Sequence, residues 1–414
     1  MIKNKISIIT LILIISAKLF AQSPSVYTRY GVGDLQLSIS AKNFGLGGFG
    51  FSVSDYKYIN NSNPATFSSL KTTRFEAGVI SSGTSVSDNL SSAFYTQTKF
   101  NGFLLGFPLQ KDYGIGLVIG LSPYSNVNYD VSNSSESQEF GKYKEDFKGT
   151  GELSKLFFGL SYKLPFEFAI GATFEYLIGN TNYSSALTFD NSDFTNSNFN
   201  TNYKYRGIGT TLGLLSPDIS KSLKVKSISD LRIGATYNLF GKINTDTTFS
   251  SFTSIGNNEI QKGSIKTKLP ARLGFGLSFK YNSKYRINLD YFYQPWAEFN
   301  SNYLNNNKLQ DIKRYSLGIE YSKAFKKFGS FWELVKYRGG LSFEQTQYNI
   351  NGNGVNQLSF YGGISLPLGI RNSIDIGLMY GIRNNAVNNL PSEKIIKAVF
   401  SLNLGELWFI RRER

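Results

Sequence analysis

The chain of 414 residues carries 44 Lys+Arg against 29 Asp+Glu, a formal net charge of +15, with no His and no Cys. Their absence excludes a Ser-His-Asp triad, a Cys-His pair, imidazole or thiolate metal sites, and disulfides. A hydrophobic content of 41%, with 15% aromatic residues and 40 Gly, argues against a conventional globular core.

Residues 1–21 read as a secretory signal: Lys3 and Lys5, an apolar run from Ile6 to Ile15, then Ser16-Ala17-Lys18-Leu19-Phe20 before cleavage after Ala21. A retained signal anchor is the competing reading, but the run is shorter than the ~20 residues a spanning helix needs. No later run is long and apolar enough, so transmembrane helices are not expected. Processing removes three lysines and no acid. The remaining positive charge is scattered, and its densest runs, Lys221-Lys224-Lys226 and Lys323-Lys326-Lys327, fall in proposed turns. Solvated turns explain them without a nucleic-acid partner.

From about Thr73 onward the pattern has a period of two, the signature of strands. Ile287, Leu289, Tyr291 and Tyr293 alternate with Arg286, Asn288, Asp290 and Phe292; Ile115, Leu117, Ile119 and Leu121 alternate with Gly116, Val118, Gly120 and Ser122. Such segments are expected at 73–83, 91–109, 113–131, 148–164, 165–184, 202–216, 229–245, 264–281, 284–300, 310–325, 334–350, 355–368, 372–384 and 393–410. Several reach the ~9–11 residues that a tilted strand needs to cross a bilayer.

The connections alternate. One set is short: Gln110–Asp112, Leu164-Pro165, Asn282-Ser283 and Gly369–Arg371, with 217–228 and 326–333 as longer exceptions. The other is long and polar: Asn133–Phe147, Asn191–Thr201, Thr247–Gly263, Asn302–Leu309 and Asn385–Ser392. Short periplasmic turns and long extracellular loops belong to an outer-membrane barrel. A soluble sandwich or propeller gives the same alternation, but strand length, export and the glycine-rich second face favour an all-β, 14-stranded antiparallel transmembrane barrel in contact with outer-membrane lipid.

If the apolar face meets lipid, the other face lines the lumen. Parity places Lys163, Arg232, Arg272, Lys280, Arg286, Arg314, Arg338, Arg383 and Lys397 there, with Glu167, Glu175, Asp290, Glu320, Glu344 and Asp375. Opposite charges on neighbouring strands can pair; alternatively, some Arg or Lys could meet an anionic head group. Arg272, Arg286, Asp290, Arg314, Glu320 and Arg338 are the candidate ligand or ion-pair residues.

The segment ahead of the first strand is patterned: Arg29-Tyr30-Gly31-Val32-Gly33-Asp34, Asn43-Phe44-Gly45-Leu46-Gly47-Gly48-Phe49-Gly50, Ser54-Asp55 and Asn63-Pro64-Ala65. Small residues before an Asp, then Asn-Pro-Ala and a strand, resemble the N-terminal hatch of FadL-type hydrophobic-compound transporters. Leu269-Pro270-Ala271-Arg272-Leu273-Gly274-Phe275-Gly276 and Asp290-Tyr291 with Trp296-Ala297-Glu298-Phe299 resemble two strand motifs of that family. With the signal segment at 1–21, the resemblance implies a hatch at 22–72 with Asn63, Pro64, Ala65, Gly45, Gly47 and Gly48 as gate residues, and a barrel at 73–414. It implies passage of hydrophobic small molecules, such as long-chain fatty acids, across the outer membrane. The opening motif and the ending Leu407-Trp408-Phe409-Ile410-Arg411-Arg412-Glu413-Arg414 are more similar to a Bacteroidota branch. Some members of that branch are subunits of secretion or barrel-assembly complexes, so a non-transporting subunit with outer-membrane protein partners is the alternative, and a general porin a further one.

Other motifs carry less. Gly45-x-Gly47-x-x-Gly50 lacks the βαβ unit of a dinucleotide site, Ser68-Ser69-Leu70-Lys71 lacks the partners of a Ser-x-x-Lys enzyme, and Asp190, Asp193 and Asp246 lack calcium-ligand spacing. Neither enzymatic activity nor a cofactor or metal is expected.

Overall fold

The computed structural model describes residues 25–406 apart from 37–38, 88–91, 140, 224, 254–258, 300–308, 324–329, 351, 370 and 385–390. The expected signal segment and the Trp-Phe-Ile-Arg terminus therefore lie outside the described residues, as do Lys224, Lys326 and Lys327. From Thr73 onward, a backbone in hydrocarbon needs every amide met by a neighbouring strand. The wall strands are β1 (Thr73–Ser87), β2 (Ser92–Gln110), β3 (Ile115–Ser137), β4 (Gly141–Lys163), β5 (Ala169–Phe189) and β6 (Ser197–Leu215). Next, β7 runs Ile228–Phe240 and resumes as Lys242–Thr253, and β8 runs Glu259–Lys268 and resumes as Arg272–Tyr281. The remainder are β9 (Tyr285–Gln294), β10 (Ile312–Tyr321), β11 (Lys336–Ile350), β12 (Asn353–Pro367), β13 (Ser373–Asn384) and β14 (Ser392–Glu406).

Neighbouring strands are antiparallel, and β14 closes on β1 from Glu406↔Thr73 to Ser392↔Ser87. The result is the closed 14-stranded barrel expected from the sequence. The outer face is aliphatic: Leu289, Leu317 and Ile319 are exposed there. Tyrosine pairs stand at both ends of this stretch, Tyr285–Tyr321 with ring centroids 5.2 Å apart and Tyr291–Tyr315 at 5.1 Å. Arg286, Asn288 and Asp290 are buried on the inner face.

Composition misled where strands leave the membrane. Asn133–Phe147 and most of Thr247–Gly263 were expected as loops, yet β3 and β4 pair up to Ser137↔Gly141, and β7 and β8 up to Ser251↔Glu259. Ser197–Thr201, likewise expected in a loop, belongs to β6. Beyond the bilayer neither face need be apolar, so alternation fades while the hydrogen-bonded ladder continues. In the opposite direction, the segment expected at 284–300 stops at Gln294, because Pro295 supplies no N–H and a 3-10 turn, Trp296–Glu298, follows. Pro270 likewise interrupts β8. The segment expected from 165 begins at Ala169, after the turn Pro165–Glu167. Glu167 is therefore outside the lumen and faces Lys221 at 3.4 Å. The two long connections on the turn side contain short helices, Ser220–Leu223 and Phe331–Leu334.

Candidate functional site

The lumen is occupied by the chain's own N-terminal segment. Residues 39–70 approach all fourteen strands: Ile39 lies against Gly78 of β1 and accepts from Asn101 of β2, and Phe67 lies against Gly116 of β3 and Gly159 of β4. Pro64 lies on Gly171 of β5, and Asn63 donates to the Leu214 carbonyl of β6. Phe51 covers Gly234 of β7, Ser52 accepts from Ser278 of β8, and Leu46 accepts from Asn288 of β9. Gly47 accepts from Arg314 of β10 and lies on Gly340 of β11; Gly45 faces Gly363 of β12. Ala41 meets Gly377 of β13, and its N–H donates to Ser401 of β14.

This seating explains many of the glycines that alternate along the inner face. A Cβ on Gly213 would sit 2.2 Å from Asn63 Oδ1, and one on Gly171 would sit 2.4 Å from the Pro64 carbonyl carbon. At Gly171 backbone lies on backbone, at Gly213 the buried Asn63 side chain lies on it, and in both places glycine leaves the room. On the segment side Gly47 has a φ of +89° and Gly48 of +112°, which aims the Gly47 carbonyl at Arg314, 2.7 Å away.

Two polar residues set the path of the segment. Asn63 is fully buried; its Oδ1 accepts the Ala65 N–H at 3.0 Å, capping the 3-10 turn Pro64–Ser69. Its Nδ2 donates to the carbonyls of Phe51, at 2.7 Å, and Leu214, at 3.0 Å. One side chain thus joins two turns of the segment to the wall. Asp290 accepts from Gly50 N at 3.0 Å, Phe51 N at 2.9 Å and Asn288 Nδ2 at 2.8 Å. It meets backbone amides rather than a luminal arginine.

The other candidate residues separate into distinct partnerships. Arg338 donates to Glu320 at 2.7 Å, to Asp375 at 3.5 Å and to Ser365 at 2.6 Å. Arg314 pairs with Glu344 at 2.8 Å. Arg286 is opposite Glu320 in register but lies near Asp230, at 3.5 Å, and Asp55, at 3.7 Å. Arg272 lies 3.8 Å from the Tyr124 ring centroid and donates to Gln294 at 3.3 Å, a geometry suited to cation–π contact.

Sequence parity missed the residues that the segment contributes. Lys42 pairs with Asp55 at 2.7 Å, and Tyr58 donates to Asp375 at 3.2 Å. At the other end Arg383 bridges Asp34 at 3.1 Å and Glu393 at 3.0 Å, and Ser25 donates to Glu393 at 2.7 Å. There the β2–β3 ladder stops at Phe103↔Leu121, and Asp34–Leu35 pairs with Asn126 and Ser125 of β3 instead. The available signal was a charged residue set among small and apolar ones, as at Lys42 and Asp55.

Burial raises the Asp55 carboxyl pKa, but Lys42, Lys336 and Arg286 outweigh it and hold the group well below the usual carboxylate range. Its contribution is therefore present above the unfolded-state value and is lost only as pH falls through the lower folded-state value. Hydrogen exchange at amides 50–58 is expected to stay slow from neutrality through mild acid and to accelerate only in strong acid. In Asp55→Asn it is expected to be fast already at neutral pH. Equal protection in the two proteins at neutrality would sink this assignment.

Three spaces left between segment and wall in the body of the barrel are small. One bounded by Gln36, Phe49, Arg272 and Phe292 has about 70 Å³, one by Phe44, Arg314 and Tyr361 about 50 Å³, and one by Ser25, Lys99 and Lys397 about 40 Å³. Pockets for small organic ligands generally have ~300–1,000 Å³.

A family model described as BamG matches residues 1–413. No curated protein matches the chain. Among solved structures, the toluene transporter TodX of Pseudomonas putida is similar at 19% identity and TM-score 0.62, over 90% of this chain and 99% of that one. The toluene transporter TbuX of Ralstonia pickettii follows at 16% and 0.59, over 89% and 99%. A FadL homologue of Pseudomonas aeruginosa is similar at 12% and 0.58, over 90% and 99%. These likenesses show a FadL-type outer-membrane barrel fold.

Proposed function

The chain belongs to the BamG family, and from that membership and the filled lumen we propose that it is a non-transporting barrel subunit of an outer-membrane barrel-assembly complex. The family's name associates it with barrel assembly. The observation that carries the reading is the contact of residues 39–70 with all fourteen strands. Clearing a path would break many buried hydrogen bonds, each worth ~0.5–1.5 kcal/mol and more where a charge is involved, besides unseating the segment from the wall.

On this reading residues 22–72 are a permanent plug and residues 1–21 are removed on export. Asn63, Pro64 and Ala65 anchor the plug on β5 and β6, and Gly45, Gly47 and Gly48 seat it on β10–β12. Arg272, Arg286, Asp290, Arg314, Glu320 and Arg338 are internal ties, not contacts to a ligand. The outer wall and the two ends are left to meet other proteins. Affinity purification of the tagged protein in mild detergent is expected to recover it stoichiometrically with other outer-membrane proteins in one large complex. Recovery as a lone monomer from membranes that retain such complexes would sink the reading.

A second reading, hatch-gated passage of hydrophobic small molecules, is favoured by the fold shared with barrels named as toluene transporters. It requires the plug to move. Uptake of toluene or a long-chain fatty acid into proteoliposomes above the protein-free rate would support it, and uptake equal to that rate would count against it.

A further inference from the structure

The Lys42–Asp55 pair borders a wider space. At the end of the barrel where the wall begins at Thr73 and finishes at Glu406, a vestibule of about 630 Å³ lies between Asp55 and the turns at Lys111 and Lys163. Its lining holds eight Lys or Arg against four Asp or Glu. Three of the four carboxylates already have close cations: Asp55 has Lys42, Asp230 has Arg232 and Glu320 has Arg338, each at 2.7 Å. Among the described residues, Lys71, Lys111, Lys163 and Lys336 have no carboxylate oxygen within 4.0 Å. They come from four separate places: the approach to β1, the β2–β3 turn, the end of β4 and the start of β11.

An adjoining alcove of about 150 Å³ shares Lys57 and Lys336, adds Arg371 and Lys323, the latter paired with Glu333 at 2.5 Å, and has no carboxylate in its lining. The excess of positive charge therefore continues round the mouth. Like charges gathered in a concave space repel one another and are relieved by an anionic partner. The vestibule lies on the inner face of the wall, at the end carrying the short turns, which in outer-membrane barrels is periplasmic. Bilayer head groups meet the outer face. Its size and spread of lysines suit a chain bearing several carboxylates better than one small anion; along an extended peptide, alternate side chains on one face recur every ~6.6 Å.

We propose that this vestibule is a docking site for an extended acidic peptide segment of a periplasmic partner. The partner belongs to the subunit reading, but the binding site can be tested without it. The probe is fluorescein-labelled deca-glutamate, followed by fluorescence anisotropy with the full chain in detergent. Binding is expected to be saturable and to weaken with salt. The triple charge reversal Lys71→Glu/Lys111→Glu/Lys163→Glu is expected to weaken it by about tenfold or more, while Lys142→Glu/Lys144→Glu/Lys148→Glu on the β3–β4 hairpin leaves it within about twofold. Heat-modified gel migration checks that each variant is folded, and Lys71→Gln/Lys111→Gln/Lys163→Gln provides a neutral variant expected to give an intermediate loss.

Equal affinity in the folded vestibule variants would overturn the proposal. So would displacement of the peptide by glycerophosphoglycerol or inorganic phosphate at matched charge, which would make this a phosphate or head-group site. Peptide binding by a chain that purifies alone would retain the docking site and defeat the subunit reading; a stoichiometric complex without peptide binding would do the reverse.

Discussion

The double substitution Gly171→Ala/Gly213→Ala is expected to unseat the N-terminal segment and to raise conductance through the barrel above that of the natural protein. Each new methyl would fall on the segment's turn: at Gly171 2.5 Å from the Pro64 carbonyl oxygen and 2.6 Å from Ala65 N, and at Gly213 2.2 Å from Asn63 Oδ1, 2.8 Å from Pro64 Cδ and 2.9 Å from Ala65 N. Overpacking commonly costs ~1–3 kcal/mol per site; the upper end is expected at Gly171, where backbone rather than a side chain is in the way. The two strains act on the same few atoms and share one relief, withdrawal of Pro64–Ser69 from β5 and β6. That movement would also remove the Asn63 bond to Leu214. Single-channel conductance in planar bilayers is the measurement, with a steady or flickering pore expected in the variant. Gly362→Ala is the control, because a methyl there would meet nothing within 4 Å. Silent recordings from a folded double variant would show that the segment does not seal the barrel through this contact.

Arg338→Ala is expected to cause the largest loss of stability among the luminal substitutions. The Arg338 side chain is fully buried, with Glu320 4% exposed and Asp375 fully buried, and Glu320 stands directly opposite it in the β10–β11 register. Removing the guanidinium leaves two carboxylates in a water-poor interior, a change that commonly costs ~3–5 kcal/mol. Ser365 and Tyr58, which donate to the same Asp375, would remain as its neutral partners. The urea midpoint of the protein in lipid vesicles is expected to fall accordingly. Arg338→Lys should fall between the variant and the natural protein, since it keeps the charge but loses the planar fork. The triple variant Arg338→Met/Glu320→Gln/Asp375→Asn should recover most of the loss by removing the buried charges together. A triple variant no more stable than Arg338→Ala would mean that packing around the guanidinium, not charge, sets the cost.

Much of the wall was legible because the hydrocarbon imposes a simple rule. Along β9, Ile287, Leu289 and Tyr291 must face lipid, so Arg286, Asn288 and Asp290 turn inward whatever their partners are. The strand ends were less legible. Pro270 and Pro295 interrupt or end strands within patterned stretches, and Gly141–Phe147 continues a strand without a repeating apolar face. In the lumen, parity gave the side on which a residue lies but not its contact. Asp290, a candidate ligand or ion-pair residue by parity, accepts two N–H groups of the segment, and Arg286 leaves its opposite neighbour Glu320 to Arg338.

Sequence alone determined the closed antiparallel wall and the absence of His and Cys chemistry, because these rest on composition and on a period of two. Tertiary structure decided what the glycines and charges do. Gly171 and Gly213 are far apart in the chain from Pro64, and Arg286 from Asp55; only closure of the barrel around residues 39–70 brings them within contact. Part of the positive charge had the same history: scattered in the chain, eight Lys or Arg line one mouth because the turns that carry them are the ends of a ring. Periodicity records the orientation of each residue relative to its own strand, whereas a contact across the lumen depends on strand register and on the path of the enclosed segment.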